Sequence, residues 1–594
     1  MPKLSLVTFA LALAVVGATA IAEEPDSQKS TVAKKITLAS IKIEGPFPET
    51  EKQVGLFGEL EQSLAKTIAR LEKAAEDDDI DGVILRLRGP AVGRGKIHEL
   101  RSAIFRARER GTKVYADLQM ALPADYLIAS ACDQIVMPPG GALVLTGVRA
   151  EVMFFKDLLQ KIGVQADFIQ VGDFKGAAEP YMRSKMSPQL RQQFESLVED
   201  LYQQMVADVA ADRKLDPEQV RKLVDQGLFT ATAAKEAGLI DRVAYEDELK
   251  TAIREEHEAD KLSVIKNYGK KKMDTEFSGF TGMVKLMNLM MGIEPTRSRG
   301  RGDKIALVYA VGAIMSGESQ QGLFAESTLG ADTIVKALRK AAADEKVKAI
   351  VLRVDSPGGS AIASDLIWRE VKKIDKPVIA SMGDVAASGG YYIAMGADQV
   401  FAEPATLTGS IGVVGGKLAM GDTLGMIGIH TETISRGRNS GVFSLKKPFS
   451  TAEREVITRL MEETYKQFTT KAAQGRQMEL AKMQELAQGK VYTGRQAKEL
   501  GLVDQLGTLS DAVAAAKKAA GIEGDKKVDL LILPKPKSMF EQLFGGPTVE
   551  SRSISRQLRR LAPQFSAPLA SAEMWQRLFA EPVNLVLPYQ VQIR

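Results

Sequence analysis

Val378-Ile379-Ala380-Ser381, Asp384-Val385-Ala386-Ala387 and Ser388-Gly389-Gly390-Tyr391-Tyr392-Ile393-Ala394 form the stretch on which the fold of this chain turns. The first run reads as a buried strand, and small residues then lead through Ser388 into a helix that ends before Asp398-Gln399-Val400. An earlier stretch, Ala124-Asp125-Tyr126-Leu127-Ile128-Ala129 followed by Asp133-Gln134-Ile135, repeats this succession. Asp133 and Asp398 stand 265 residues apart, and at that offset Ser388 falls opposite Pro123. Further on, Gly172-Asp173-Phe174-Lys175-Gly176 meets Gly437-Arg438-Asn439-Ser440-Gly441, which sets Lys175 opposite Ser440. Each copy holds one plausible catalytic group and lacks the other. That pattern points to one site shared between two halves.

The repeat runs well beyond these segments. Val83-Ile84-Leu85-Arg86 matches Ile350-Val351-Leu352-Arg353, and Pro90 stands opposite Pro357. Near the end of each copy, Ala234-Lys235-Glu236-Ala237-Gly238-Leu239-Ile240-Asp241 matches Ala497-Lys498-Glu499-Leu500-Gly501-Leu502-Val503-Asp504. A period this long is not a solenoid; it means two domains of one fold. Within each copy, strand-like runs (Ile36 to Ile43, Ile305 to Val311) precede helix-like segments at Gln62 to Lys73 and Ile334 to Ala342. Helices are expected again at Lys96 to Glu109, Ala361 to Ile374, Pro188 to Arg213 and Ala452 to Arg476. Strands alternating with helices predict α/β domains with largely parallel sheets. The expected division is 31–250 and 304–522 for the two domains, 251–303 for a connection and 523–594 for a C-terminal extension.

The 594 residues carry a net charge of only +4, which gives no case for nucleic acid. Cys132 is the only cysteine and His98, His257 and His430 the only histidines, so neither a disulfide nor a metal site is expected, and no cofactor. Residues 1–22 read as an export signal or a retained membrane anchor: Lys3 precedes the apolar run Leu4 to Ala22, which ends in Ala20-Ile21-Ala22. The Met-rich run Gly282 to Ile293 is too short to cross a membrane and suits a buried interface helix. In the extension, Ile554, Leu558 and Leu561 lie at helical spacing among Arg552, Arg556, Arg559 and Arg560; such a stretch packs on its own protein or touches anionic lipid.

Acyl transfer needs a nucleophile beside backbone N–H groups aimed at the developing negative charge. Ser388 lies at a helix N-terminus, and Asp355-Ser356-Pro357-Gly358-Gly359 supplies a second glycine turn that the first copy replaces with Pro90-Ala91-Val92. A Ser-Gly-Gly by itself is an ordinary turn; paired with a second turn lost from the other copy, it favours function. No histidine stands in a triad context: His98 is inside a helix, His257 in the connection, and His430 before a strand. A lysine can replace histidine when burial keeps its amine neutral. Lys175, between Phe174 and Gly176-Ala177-Ala178, permits such burial, although a solvated surface lysine is the default reading.

Asp384 through Ala394, Asp355 through Ser360, Leu407-Thr408-Gly409-Ser410-Ile411-Gly412 and Gly172 through Lys175 together resemble the long, duplicated form of the signal peptide peptidase A (protease IV) family. The resemblance runs from about Ile36 to Gly521. It implies two tandem crotonase-like, ClpP-like α/β domains forming a Ser/Lys endopeptidase of the bacterial envelope that degrades cleaved signal peptides. It makes Ser388 the nucleophile, Lys175 the general base and Ser410 the residue that orients the lysine. Gly389 and Gly359, preferred over Gly358, are the candidates for the oxyanion hole. As partners it implies signal peptides and other extended peptides, a membrane surface, and further copies of the chain in a ring or bowl, a tetramer by resemblance. An acyl-CoA enzyme of the same fold and a non-catalytic envelope scaffold are the rival readings.

Overall fold

The computed structural model describes residues 34–49, 63–270, 302–320, 328–522, 528–535 and 583–586. The expected signal or anchor, the Met-rich run and the basic amphipathic stretch lie outside these residues. Among the described residues no helix is long and apolar enough to cross a membrane.

The duplication is written into the strand order. The first sheet runs Lys261–Lys266, Lys35–Pro46, Gly82–Ala91, Lys113–Asp117, Gln134–Met137, Arg242–Val243, with every neighbouring pair parallel. The second runs Asp529–Leu533, Lys304–Val311, Val347–Ser356, Val378–Ala387, Gln399–Ala402, Gln505–Leu506, again all parallel. Position for position, these six strands correspond; Leu407–Gly409 and Val491–Thr493, an antiparallel pair, extend the second sheet further, whereas Ala142–Val144 and Leu228–Thr230 form a separate small sheet in the first repeat. The central strands are rich in Val, Ile and Leu, as strands covered by helices on both faces should be. In the second domain one face packs on helices Ala331–Ala343, Ala361–Lys372 and Gly389–Ala394, and the opposite face on Leu509–Ala519. The long helix expected at Pro188 to Arg213 has those bounds, and its counterpart is Thr451–Gly475.

Both sheets reach past the expected domain ends. Lys261–Lys266 is the edge of the first sheet, so the segment expected to begin the connection at residue 251 belongs in part to the first domain. Asp529–Leu533 closes the second sheet in the same way, beyond residue 522. Each is a short, partly exposed edge strand, recognisable only from the parallel neighbour it pairs with. The segment after His430 is not a strand: residues 430–436 are irregular and exposed.

A third sheet joins the halves. Its order is Thr328–Gly330, Ala313–Met315, Gly358–Ser360, Asn584–Val586, Val413–Ala419, Gln165–Val171. Gln165–Val171 of the first repeat pairs antiparallel with Val413–Ala419 of the second, from Val171 opposite Val413 to Gln165 opposite Ala419. Buried charge ties the halves together elsewhere. Arg353, fully buried, donates to both carboxylate oxygens of Glu49 at 3.1 and 3.0 Å and lies 3.1 Å from Glu99. Its repeat counterpart Arg86 makes only a half-exposed pair with Glu246. Removing one partner from a buried pair of this kind typically costs ~3–5 kcal/mol, because the other charge is stranded.

Candidate active site

Strand Val378–Ala387 delivers Ser388 to the N-terminus of helix Gly389–Ala394. The Ser388 backbone sits at φ 57°, ψ −112°, a conformation that L-residues rarely adopt. Two hydrogen bonds hold it there. The Ser388 N–H donates to Gly409 O at 2.7 Å, and the Tyr392 N–H donates to Ser388 O at 2.8 Å. Strain of this kind costs ~1–3 kcal/mol and persists where the surroundings over-determine it.

Lys175 arrives from the other repeat. Strand Gln165–Val171 ends at Gly172, and the chain turns through Phe174, whose N–H donates to Gln488 O at 2.8 Å. Gly489, at φ +78°, accepts this loop: a Cβ there would lie 2.6–2.7 Å from the N, Cα and Cβ atoms of Lys175. Only glycine lets the two backbones approach so closely. The outcome is a fully buried lysine whose Nζ lies 2.8 Å from Ser388 Oγ, 2.8 Å from Ser410 Oγ and 2.9 Å from Ser410 O. Its three partners are two hydroxyls and a carbonyl, with no carboxylate. Burial therefore pushes the lysine pKa well below the usual range, and nothing opposes it.

The two glycine turns converge beside Ser388. A Cβ on Gly389 would lie 3.1 Å from the Gly359 nitrogen, and one on Gly358 would lie 2.7 Å from the Gly389 nitrogen. The Gly358 N–H donates to Ser356 Oγ at 3.1 Å. Lys96, from the first repeat, anchors the roots of both turns: its Nζ is 3.0 Å from Asp355 and 3.1 Å from Asp384. Sequence reasoning missed Gly489, Gln488 and Lys96. Gln488-Gly489 reads only as the stop of helix Leu480–Leu486, and Lys96 as a charged helix residue. Their roles exist only across the interface between the repeats.

Opposite these residues the reciprocal site is empty of chemistry. Pro123, the counterpart of Ser388, begins helix Pro123–Ser130, and Ser440, the counterpart of Lys175, is exposed. With this geometry in view, comparison with known proteins is decisive. The sequence model of peptidase family S49 matches the chain twice, over residues 106–260 and 370–523. The chain belongs to peptidase family S49. It is 33% identical to "Serine protease SPPA, chloroplastic" of Arabidopsis thaliana, over 85% of this chain and 72% of that one. "Protease 4" of Salmonella typhi is 31% identical over 80% of this chain and 76% of its own length. "Protease 4" of Haemophilus influenzae is also 31% identical, over 78% and 74%. A second family model, Clp protease, matches residues 325–408. The two domains of this S49 peptidase are thus ClpP-like, arranged in tandem by duplication, as the paired strand orders require.

Proposed function

We propose that this S49 protease is a serine endopeptidase working through a Ser388/Lys175 dyad, and that it degrades cleaved signal peptides and other extended apolar peptides. One observation carries the reading: two fully buried side chains from different repeats meet with Nζ 2.8 Å from Oγ. Neutral Lys175 takes the Ser388 proton as Oγ bonds to the substrate carbonyl carbon. The N–H groups of Gly389 and Gly359 receive the oxyanion, a contribution worth ~3–4 kcal/mol per donor in comparable sites. The protonated lysine then donates to the leaving amine as the C–N bond breaks, and water hydrolyses the acyl-enzyme by the reverse path. Ser410 holds Nζ on line with Oγ.

The run Leu4 to Ala22 supports a place at the periplasmic side of the inner membrane, or in the periplasm when cleaved. Two segments left unpaired support assembly of several copies. Gln165–Val171 finds Val413–Ala419 inside the chain, but the repeat counterparts of both, residues 430–436 and 148–154, pair with nothing among the described residues. The test of the catalytic reading is labelling by a small fluorophosphonate with parallel hydrolysis of a synthetic signal peptide. Labelling at Ser388 and hydrolysis are expected together; labelling at another residue, or neither activity, overturns the dyad.

A further inference from the structure

The first repeat sends a second lysine to the surroundings of Ser388, and this one meets carboxylates. Lys96 lies in the first turn of helix Arg94–Glu109. Its Nζ stands 3.0 Å from Asp355 and 3.1 Å from Asp384, both of the second repeat. Its backbone N–H donates to the other oxygen of Asp384 at 3.0 Å, so Asp384 also caps a helix whose own N-cap, Gly93, has no side chain for the task. Gly93 and Gly95 permit the approach: a Cβ on Gly93 would lie 2.3 Å from Asp384 Cγ, and one on Gly95 3.0 Å from Gly383 O. Burial works against a charge on Lys96, but Asp355, Asp384 and Glu49 outweigh it and hold its pKa above the usual lysine range. Lys175 is neutral for want of such partners; Lys96 is charged because of them.

These two carboxylates stand where the sheet departs from its regular ladder. Between Val354 opposite Met382 and Ser356 opposite Ala386, strand Val347–Ser356 advances two residues and strand Val378–Ala387 four. A bulge of this sort re-aims the chain beyond it. Beyond it here lie Gly358-Gly359 on one strand and Ser388-Gly389 on the other. Within the shift, the Val385 N–H donates to Asp355 Oδ1 at 3.1 Å. Asp355 thus pins the bulge from the neighbouring strand, Asp384 sits in it, and Lys96 bridges the two. The first sheet differs: it pairs in step from Gly82 opposite Lys113 to Arg86 opposite Asp117. The repeat counterparts of Asp355 and Asp384 are Arg88 and Gln119, and the helix of the second repeat has Ala363 where the first has Lys96. The three-charge set occurs once, at the copy that carries Ser388.

We propose that Lys96 is a positioning residue for the oxyanion hole: by clamping Asp355 to Asp384 it fixes the turn that carries Gly359 against the turn that carries Ser388 and Gly389. The proposal rests on the Ser388/Lys175 reading and gives the first repeat a second task there, setting the spacing of the two donors as well as supplying the base. Such donors gain their worth from being fixed before charge develops. Two carboxylates left without their cation repel each other, and the turns rooted on them part.

The test uses the full-length protein, a synthetic signal peptide, and a peptide aldehyde with an isotopically labelled carbonyl carbon. Ser388 Oγ adds to that carbon, and the oxygen of the resulting hemiacetal gains or loses a proton, which the NMR shift of the labelled carbon reports. Lys96→Met should lower kcat by about 10²-fold with KM little changed. It should raise the hemiacetal pKa by about two, the same factor expressed as a proton affinity. The double variant Lys96→Met, Asp384→Asn removes the clamp at constant local charge. It should show both effects, while the pH at which kcat/KM rises stays that of the wild type. Wild-type kcat in folded Lys96→Met, or a higher KM alone, overturns the clamp. So does a double variant whose kcat/KM profile moves while the hemiacetal pKa does not, because Lys96 would then act on Lys175. Should Lys96→Met not fold, Asp355→Asn decides: it keeps an acceptor for Val385 and the pair of Lys96 with Asp384, and should still raise the hemiacetal pKa. An unchanged value there overturns the clamp. A wild-type Ser388 that adds no aldehyde strikes the dyad instead, and the clamp with it.

Discussion

A buried amine with three polar neighbours meets all of them without a stranded charge when it is neutral. Two N–H groups of Lys175 then point at Ser410 O and Ser410 Oγ, and its lone pair accepts from the Ser388 hydroxyl. An ammonium in the same place would have no anion to offset its lost hydration. Ser388→Ala and Lys175→Ala should therefore each lower peptide hydrolysis by about 10²-fold or more, and the double variant should be no worse than either, since the pair acts as one unit. Substantial hydrolysis by purified Lys175→Ala would sink the assignment. The depressed pKa also sets the pH response. Activity needs the unprotonated amine, so kcat/KM should climb with pH through a single ionisation lying well below the usual lysine range. Stability follows the same sign. The unfolded lysine holds its proton to higher pH than the folded one, so this group's contribution falls as pH drops from the unfolded pKa towards the folded one. At neutral pH the inactive Lys175→Met should accordingly melt at a higher temperature than the wild type. A lower melting temperature, with the fold intact by circular dichroism, would contradict a neutral amine.

Single elements matter here for where they let chains approach. Gly489 is the clearest case, because any side chain there meets the backbone of Lys175 and must also adopt φ +78°. Gly489→Ala should leave global folding intact but push the lysine loop away. A displacement of about 1 Å costs roughly 10²-fold in rate, so kcat should fall with little change in KM. Unaltered kcat in a folded Gly489→Ala would show that the loop does not depend on this contact. The elements legible in the sequence were those with strong period and length: the central Val/Ile/Leu strands and the long helix Pro188–Arg213. The proposed dyad was legible through comparison of the two copies, because Ser388 and Lys175 occupy positions where the other copy has Pro123 and Ser440. Edge strands Lys261–Lys266 and Asp529–Leu533 were not, nor was Asn584–Val586. Each gains strand geometry from a neighbour far away in sequence, and three to six residues are too few to carry a period of their own. The buried ring around Arg353 was hidden for a related reason. Glu49, Lys96 and Glu99 look like ordinary surface charges until the second repeat covers them.

At the scale of the whole molecule, the pairing between repeats raises a question of closure. The first repeat offers Gln165–Val171 and the second accepts it on Val413–Ala419. The second repeat has the counterpart of the offered strand in residues 430–436, where Ile434 is 94% exposed, and the first has the counterpart of the acceptor in 148–154, where Met153 is 71% exposed. Repeating the same step between chains would set residues 430–436 of one copy against 148–154 of the next. That contact is head-to-tail, and such contacts close into rings when the rotation per step divides a full turn. Each chain contributes two nearly equivalent domains, so a ring of chains is a ring of twice as many domains, with one dyad per chain facing the same way. Ile434→Asp places a charge where the incoming strand would be covered, and should reduce the species seen in sedimentation to the mass of one chain. The dyad forms within a chain, so small-fluorophosphonate labelling of Ser388 should survive in that variant. An unchanged sedimenting mass in the double variant Ile434→Asp, Met153→Asp would show that these two segments do not join the copies.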